Sequence, residues 1–181
     1  MTATETLGLA TLNALPVVEA ERILLHCCAS SRWARAVASG RTYPSVDDLC
    51  AASDSALDAL TESDVDEAMA GHPRIGDRAT EEHSTASRRE QAGMVDASAE
   101  TVTGLSEGNA EYEARFGHVY LVSADGRTSE ELLALLRQRL RNDPATERAQ
   151  ARAELGKINR IRLRRLLAAE SGAGAETGAA R

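Results

Sequence analysis

Arg162 is the residue whose position in the sequence points most directly to chemistry. In a helix that turns ~100° per residue, Arg162 falls within about 20° of Leu155 and about 40° of Ile158, inside an apolar face. Its neighbours Arg160 and Arg164 fall on the opposite, polar face. A buried guanidinium needs a carboxylate or an anionic ligand, because an uncompensated buried charge is costly. The pattern leaves two alternatives open, a structural ion pair and a binding site for a substrate anion.

A hydroxyl, a carboxylate and an amide share one face of a predicted helix over residues 85–94. Ser87, Glu90 and Gln91 stand at positions i, i+3 and i+4, which are neighbours on a helix surface. Such a group can hydrogen-bond to a polar heterocycle. Two arginines precede Glu90, and a solvated helix face would have the same composition. The residues alone do not decide between these two interpretations.

His72 is the best placed of the four histidines for acid–base catalysis. Pro73 disfavours the helical conformation at the residue before it, so His72 is expected in an extended conformation at a helix exit. A general acid or base benefits from being held in one place. His26, by contrast, lies in an apolar helical stretch and is expected to be at least partly buried.

Helical patterns that would position these residues cover nearly the whole chain. Serine, threonine and aspartate caps and apolar periodicity follow a lead-in over 7–15 and predict helices at 16–28, 30–39, 45–60, 61–71, 85–94, 98–116, 128–140 and 144–169. The segment HVYLVSA (118–124) has strand character, but one strand cannot make a sheet. We therefore predict an extended connector whose backbone groups find other partners.

The predicted fold is all-α, a single-domain helical bundle of about eight helices with one short extended connector. The expected boundaries are a flexible N-terminus at 1–6, a helical domain at 7–169 and a disordered tail at 170–181, which is rich in small and polar residues.

Composition excludes several classes of protein. The 181 residues carry a net charge of −7 and include one Trp, three Tyr and one Phe, too few for the aromatic platforms of single-strand nucleic-acid binders. No apolar run approaches the ~20 residues of a membrane span, and no secretory signal is apparent. Three cysteines make a poor disulfide framework, and His and Cys lack zinc-ligand spacing. We expect a cytoplasmic protein without a metal site.

Charge is unevenly distributed along the chain. Residues 127–167 hold eleven basic and five acidic side chains, although the whole chain is acidic. Such a segment is typical of a helical module that binds nucleic acid or an acidic partner. It is equally typical of helices that bind a small anion or lie against an acidic part of the fold. The binding module is the alternative to an enzymatic function.

A set of ordered motifs resembles one enzyme family over about residues 7–168. The segments that carry the resemblance are LNALP (12–16), CCAS..W (27–33), HPRIGD (72–77), S..EQAG (87–93), YEARFGHVYLV (112–122), GRTSEELL (126–133), LRNDP..ER (140–148) and ELGKI..IRL (154–163). The order HPxxG, SxxEQ, RFG and KIxxxRL is more specific than any one motif. In these segments the chain is similar to the 2-oxo-4-hydroxy-4-carboxy-5-ureidoimidazoline (OHCU) decarboxylases of urate breakdown.

The resemblance implies roles for residues at matching positions. It makes His72 the catalytic acid or base, Glu90 its carboxylate partner and Arg162 the essential arginine. The residues implied in substrate binding are Pro73, Ser87, Gln91, Tyr120, Leu121 and Val122. The chain departs from the family where His118 and Val119 replace a frequent aromatic–proline pair.

The resemblance also implies the reaction and its partners. The expected activity is decarboxylation of OHCU, a small-molecule substrate, to (S)-allantoin. The substrate ring has a C=N group beside the departing carboxylate that accepts the electron pair, so no cofactor is expected. The family resemblance further implies an all-helical homodimer, without nucleic-acid or membrane partners.

Overall fold

The computed structural model describes residues 7–76 and 97–168, and in these ranges it contains eight helices and no strand. We number the helices in chain order. Their bounds are α1 Leu9–Ala14, α2 Val17–Leu24, α3 Ser31–Ser39, α4 Val46–Asp58, α5 Glu62–Ala70, α6 Ala99–Phe116, α7 Ser129–Arg139 and α8 Pro144–Leu167. The all-α prediction is confirmed. The predicted terminal segments 1–6 and 170–181, and the predicted helix 85–94, lie outside the described residues.

Local sequence signals explain most helix boundaries. Ser30, Ser45 and Ser98 accept hydrogen bonds from backbone N–H groups in the first turns of α3, α4 and α6. Thr61 and Thr128 form capping boxes with acidic residues three positions later, at the starts of α5 and α7. At the end of α6, Gly117 has a left-handed φ of 76°, which favours glycine.

The N-terminal region differs from the prediction in two ways. The expected lead-in forms a short helix, α1, and α2 ends at Leu24 rather than at Cys28. Turn hydrogen bonds continue from Leu24 to Cys28, which keeps this segment compact after the helix has ended. His26 lies in this turn and is exposed, so its expected burial is wrong.

Two hydrophobic cores divide the described fold. The larger core unites α1 to α5 with α8, around the fully buried Trp33, whose indole N–H donates to the Ser53 carbonyl at 3.0 Å. The smaller core joins α6 and α7 to the connector and to Ile75. The connector contributes to both cores, because Leu121 packs in the larger and Tyr120 and Val122 in the smaller. It therefore lies where the two cores meet.

Two further properties concern the environment of the chain. Cys27, Cys28 and Cys50 are buried and form no disulfide. Within the ranges 7–76 and 97–168, the helices are too short or too polar to cross a membrane.

Candidate functional site

His72 follows directly after α5 and is buried, with 6% of its surface exposed. Its backbone N–H donates to the Met69 carbonyl, and its ring Nδ1 lies 2.9 Å from the Ala68 carbonyl oxygen. A carbonyl can only accept, so Nδ1 carries the proton and Nε2 of the neutral ring has a free lone pair. Nε2 has no hydrogen-bond partner among the described residues. This geometry leaves Nε2 available to a ligand.

Two causes lower the pKa of His72 to about 3. Burial, the larger effect, disfavours the imidazolium, and the positive charge of Arg162 disfavours it further. The hydrogen bond to Ala68 acts in the opposite direction. His72 is therefore neutral near pH 7, so Nε2 can accept a hydrogen bond, and the ring takes up a proton readily only when a negative charge enters the site.

The segment after His72 is held by α6. Asn109 donates from Nδ2 to the Ile75 carbonyl at 2.8 Å, and Arg74 forms a two-pronged ion pair with Glu113. Asn109 and Glu113 are one helical turn apart, so α6 grips this segment at two points. Pro73 lies in the chain between His72 and the residues that α6 contacts, and it is half-buried.

Arg162 lies on the buried face of α8, as its helical position predicts, and is 6% exposed. Its Nη1 donates to the Cys27 carbonyl at 3.2 Å, which links α8 to the turn after α2. The same guanidinium affects the pKa of His72 and that of the Cys28 thiol. The fold thus brings His72 and Arg162 into one buried region.

The neighbouring arginines have a different environment. Arg160 pairs with Asp54 and Arg164 with Asp47, both across the exposed interface between α8 and α4. Their surface positions confirm the predicted division of the arginines between the two faces of α8. They also provide matched controls for Arg162.

The connector lies between the two cores, and side chains form hydrogen bonds with some of its backbone N–H and C=O groups. Arg139 donates from Nη1 to the Leu121 carbonyl at 2.6 Å, and Glu154 accepts from the Ser123 N–H at 2.8 Å. These contacts are the other partners that an isolated extended segment requires. Tyr120 turns its ring towards Arg139, 4.9 Å from the guanidinium carbon.

A buried ion pair supports the connector from behind. Arg139 pairs with Glu147, whose carboxylate also accepts hydrogen bonds from the hydroxyl of Tyr112 and from the Asn142 amide. Burial and the neighbouring Glu147 raise the pKa of Tyr112, so its hydroxyl stays protonated and donates. This network was not predicted from the sequence. The available signal was Arg139, which lies one turn after the buried Leu136 in α7.

His118, at the point of departure from the family, does not extend this polar network. Its ring packs edge-on against Tyr112 and beside Phe116, and Nδ1 lies 3.1 Å from the Val119 carbonyl. Its described contacts are therefore mainly aromatic.

Other predicted site residues lie outside the described ranges. They are Ser87, Glu90 and Gln91, all in the predicted helix 85–94. In the part of the chain that the structure describes, no three His, Cys, Asp or Glu side chains form a group that would hold a metal ion.

The basic segment 127–167 is largely neutralised within the fold. Seven of its eleven basic side chains pair with acidic groups among the described residues, including Arg148 with Glu62 and Asp66 and Arg165 with Asp125. Of the alternatives open for this segment, the structure favours helices that lie against an acidic part of the fold.

Comparisons with known proteins agree on one family. A family model described as OHCU decarboxylase matches residues 13–164. A 2-oxo-4-hydroxy-4-carboxy-5-ureidoimidazoline decarboxylase of Amia calva is 33% identical over 138 residues, which cover 74% of this chain and 79% of the relative. The uric acid degradation bifunctional protein TTL of Arabidopsis thaliana is 30% identical over 152 residues. That match covers 77% of this chain but only 45% of the Arabidopsis protein.

Solved structures show the same relationship. A crystal structure of OHCU decarboxylase in the presence of (S)-allantoin matches with a TM-score of 0.72 and 27% sequence identity. The match covers 81% of this chain and 97% of that one. The similarity therefore extends over nearly all of the solved domain.

Proposed function

Because the chain belongs to the OHCU decarboxylase family, we propose that it removes the carboxyl group of OHCU and forms (S)-allantoin in urate degradation. The observation that carries this proposal is the burial of His72 and Arg162 in one region, although they are far apart in the sequence. Both residues stand at the positions to which the family resemblance gives catalytic roles.

Arg162 binds the substrate carboxylate in this proposal. Its planar, forked set of donors matches a carboxylate, and its position on a rigid helix fixes the direction from which it approaches. Holding the carboxylate out of the ring plane lets the electron pair of the breaking C–C bond move into the adjacent C=N group as CO2 leaves. The developing charge thus has an acceptor within the substrate, and we propose that the reaction needs no metal or cofactor.

His72 handles the proton. In the neutral ring Nε2 accepts a hydrogen bond, and the substrate hydroxyl is a suitable donor as it becomes a carbonyl. The proton can then be delivered to one face of the neighbouring ring carbon, which makes the product a single enantiomer, while the nitrogen that received the electron pair takes a second proton from water. We propose, from the family resemblance, that Glu90 orients His72 or holds the substrate, and that Pro73, Ser87, Gln91 and the connector residues Tyr120, Leu121 and Val122 line the site.

A direct assay tests the proposed activity. Freshly generated OHCU is mixed with purified protein treated with chelator, and circular dichroism follows the appearance of optically active allantoin. We expect the protein to accelerate the signal, with (S)-allantoin as the product. An unchanged rate would contradict the activity, and a rate restored only by a divalent metal would contradict the cofactor-free mechanism.

We further propose a homodimer, as the resemblance implies. Val18 in α2 is 78% exposed, and Leu25, the helix-like residue directly after α2, is 39% exposed; their spacing of seven residues directs them to a similar side. An apolar face of this kind is suited to an interface. Light scattering during size-exclusion chromatography should give about twice the 19.3 kDa mass of one chain, and the Val18→Asp variant should lower that mass.

We propose that the protein functions in the cytoplasm, as one domain over residues 7–169. Three buried cysteines without a disulfide fit a reducing compartment. The family match at 13–164 lies within the proposed domain. Localisation of the tagged full chain in its own cells tests the compartment.

A further inference from the structure

We propose that Asn159 is a substrate-positioning residue, whose side-chain amide binds an N–H and C=O edge of the substrate's ureide groups. The inference rests on the proposed function and extends it to a residue with no role in the resemblance described above. It depends on the place of Asn159 in the fold, on its burial and on its unused hydrogen-bonding capacity.

Asn159 lies one turn before Arg162 on the buried face of α8. It is completely buried, between Leu155, Ile158 and Leu163 along the helix, which are all buried apolar residues. An asparagine on such a face is unfavourable unless its amide is hydrogen-bonded. Positions i and i+3 share a helix face, so the amide and the guanidinium of Arg162 are directed to neighbouring parts of the same space.

Neither amide atom of Asn159 has a hydrogen-bond partner of normal geometry among the described residues. Most buried polar groups in folded proteins are paired, and an unpaired group calls for an explanation such as a ligand or an ordered water. Among the described residues its amide has one recorded polar contact, a weak one with the Cys28 thiol, which leaves most of its hydrogen-bonding capacity unfilled. A group that completes both bonds at once fits this site better than a single hydroxyl.

The surroundings of Asn159 connect it to the candidate active site. The amide lies beside the Cys28 thiol, and both Asn159 and Arg162 act to lower the pKa of that thiol against the stronger effect of burial, which raises it to about 11. The Cys28 thiol is thus a hydrogen-bond partner of the amide, but a protonated thiol is a weak one and does not satisfy both the donors and the acceptor of an amide. Cys28 therefore places Asn159 and Arg162 in one neighbourhood, and its weak contact with the amide leaves most of the amide's capacity to a ligand.

The chemistry of the amide indicates which part of the substrate it would bind. Arg162 provides only donors and suits the carboxylate. Asn159 provides an acceptor and two donors side by side, which is complementary to the adjacent C=O and N–H of a urea. The ureido substituent and the cyclic urea of OHCU both have this edge. Asn159 would thus orient the ring while Arg162 holds the carboxylate.

Two variants test this role. Asn159→Ala removes the amide, and Asn159→Leu removes it without leaving a cavity. If one of the two variants does not fold, the other still tests the role of the amide. We expect KM for OHCU to rise at least about tenfold, which corresponds to ~1.4 kcal/mol of lost binding, with a smaller change in kcat. Binding of (S)-allantoin, measured by calorimetry, should weaken by a similar factor, and the Tm of the free protein should hold or rise.

Ser53→Ala is the matched control. Ser53 has a buried hydroxyl that also lacks a hydrogen-bond partner among the described residues, but it lies on α4 beside Trp33. Its replacement should leave KM and allantoin binding unchanged. A wild-type KM in both Asn159 variants, whether or not Tm falls, would overturn the substrate role and assign the amide to a structural water. Wild-type protein that does not turn over OHCU in the same assay would overturn the proposed function itself.

Discussion

The positive charge of Arg162 lowers the pKa of His72, in a region where burial already disfavours the imidazolium. The two residues are therefore coupled electrostatically before any ligand binds. A carboxylate bound to Arg162 would offset its charge and raise the pKa of His72. Substrate binding would in this way prepare Nε2 to take up a proton. Loss of CO2 would remove the carboxylate charge and lower the pKa of His72 again, which favours release of that proton.

The first prediction separates catalysis from folding at His72. His72→Asn keeps a polar side chain before Pro73 but removes the group that exchanges protons. Turnover of OHCU should fall by about 10²-fold or more, the usual scale for general acid–base catalysis, while the far-UV circular dichroism spectrum stays unchanged. Activity close to that of the wild type would remove His72 from the mechanism.

The second prediction concerns stability as a function of pH. The pKa of His72 is about 3 in the folded protein, against ~6.5 for an unperturbed histidine in the unfolded chain. Between these values the unfolded chain binds a proton that the folded protein does not. The stabilising contribution of the neutral ring is therefore complete above pH ~6.5 and decreases as the pH falls, by up to ~1.4 kcal/mol per pH unit.

Urea unfolding between pH 7 and pH 4.5 measures this effect. The free energy of unfolding of the wild type should fall more steeply with acidification than that of His72→Asn. His26→Asn is the control, because His26 is exposed, and it should keep the wild-type slope. Equal slopes for the wild type and His72→Asn would show that His72 is not held neutral.

The third prediction distinguishes Arg162 from its neighbours. Arg162→Gln should abolish turnover, whereas Arg160→Gln and Arg164→Gln should stay active. The latter two lose only exposed ion pairs, with Asp54 and Asp47, worth ~0.2–1 kcal/mol each. Arg162→Lys should not restore activity, because an ammonium lacks the planar fork that binds a carboxylate. Equal turnover in the three glutamine variants would place the substrate anion elsewhere.

Sequence periodicity was enough to place Arg162, because α8 is long and regular and its angular positions can be counted along the chain. The caps at Ser45, Thr61 and Thr128 were predictable for a similar reason, since each helix start depends on residues within one turn. The end of α2 was not, because the segment after Leu24 retains apolar residues and helix-like turn bonds after the helix stops.

Local sequence patterns could not predict contacts between segments that are distant in the chain. Asn159 has the same sequence signal as any polar residue in a basic helix, and its isolation became visible only in the packed fold. The pairing of Arg139 with Glu147 likewise depends on how α7 meets α8. The charge imbalance of 127–167 had several explanations until the acidic partners on other helices were located.

The last prediction uses Arg139 and Glu147 to separate the stability of the fold from the position of the connector. Glu147→Ala leaves Arg139 buried without its carboxylate, which should destabilise the protein by ~3–5 kcal/mol. Combining Arg139→Met with Glu147→Leu removes both charges and should recover most of that loss in urea unfolding. The double variant also lacks the donor to the Leu121 carbonyl, so its turnover of OHCU should stay low. Recovery of both stability and wild-type turnover would show that catalysis does not need Arg139 to hold the connector.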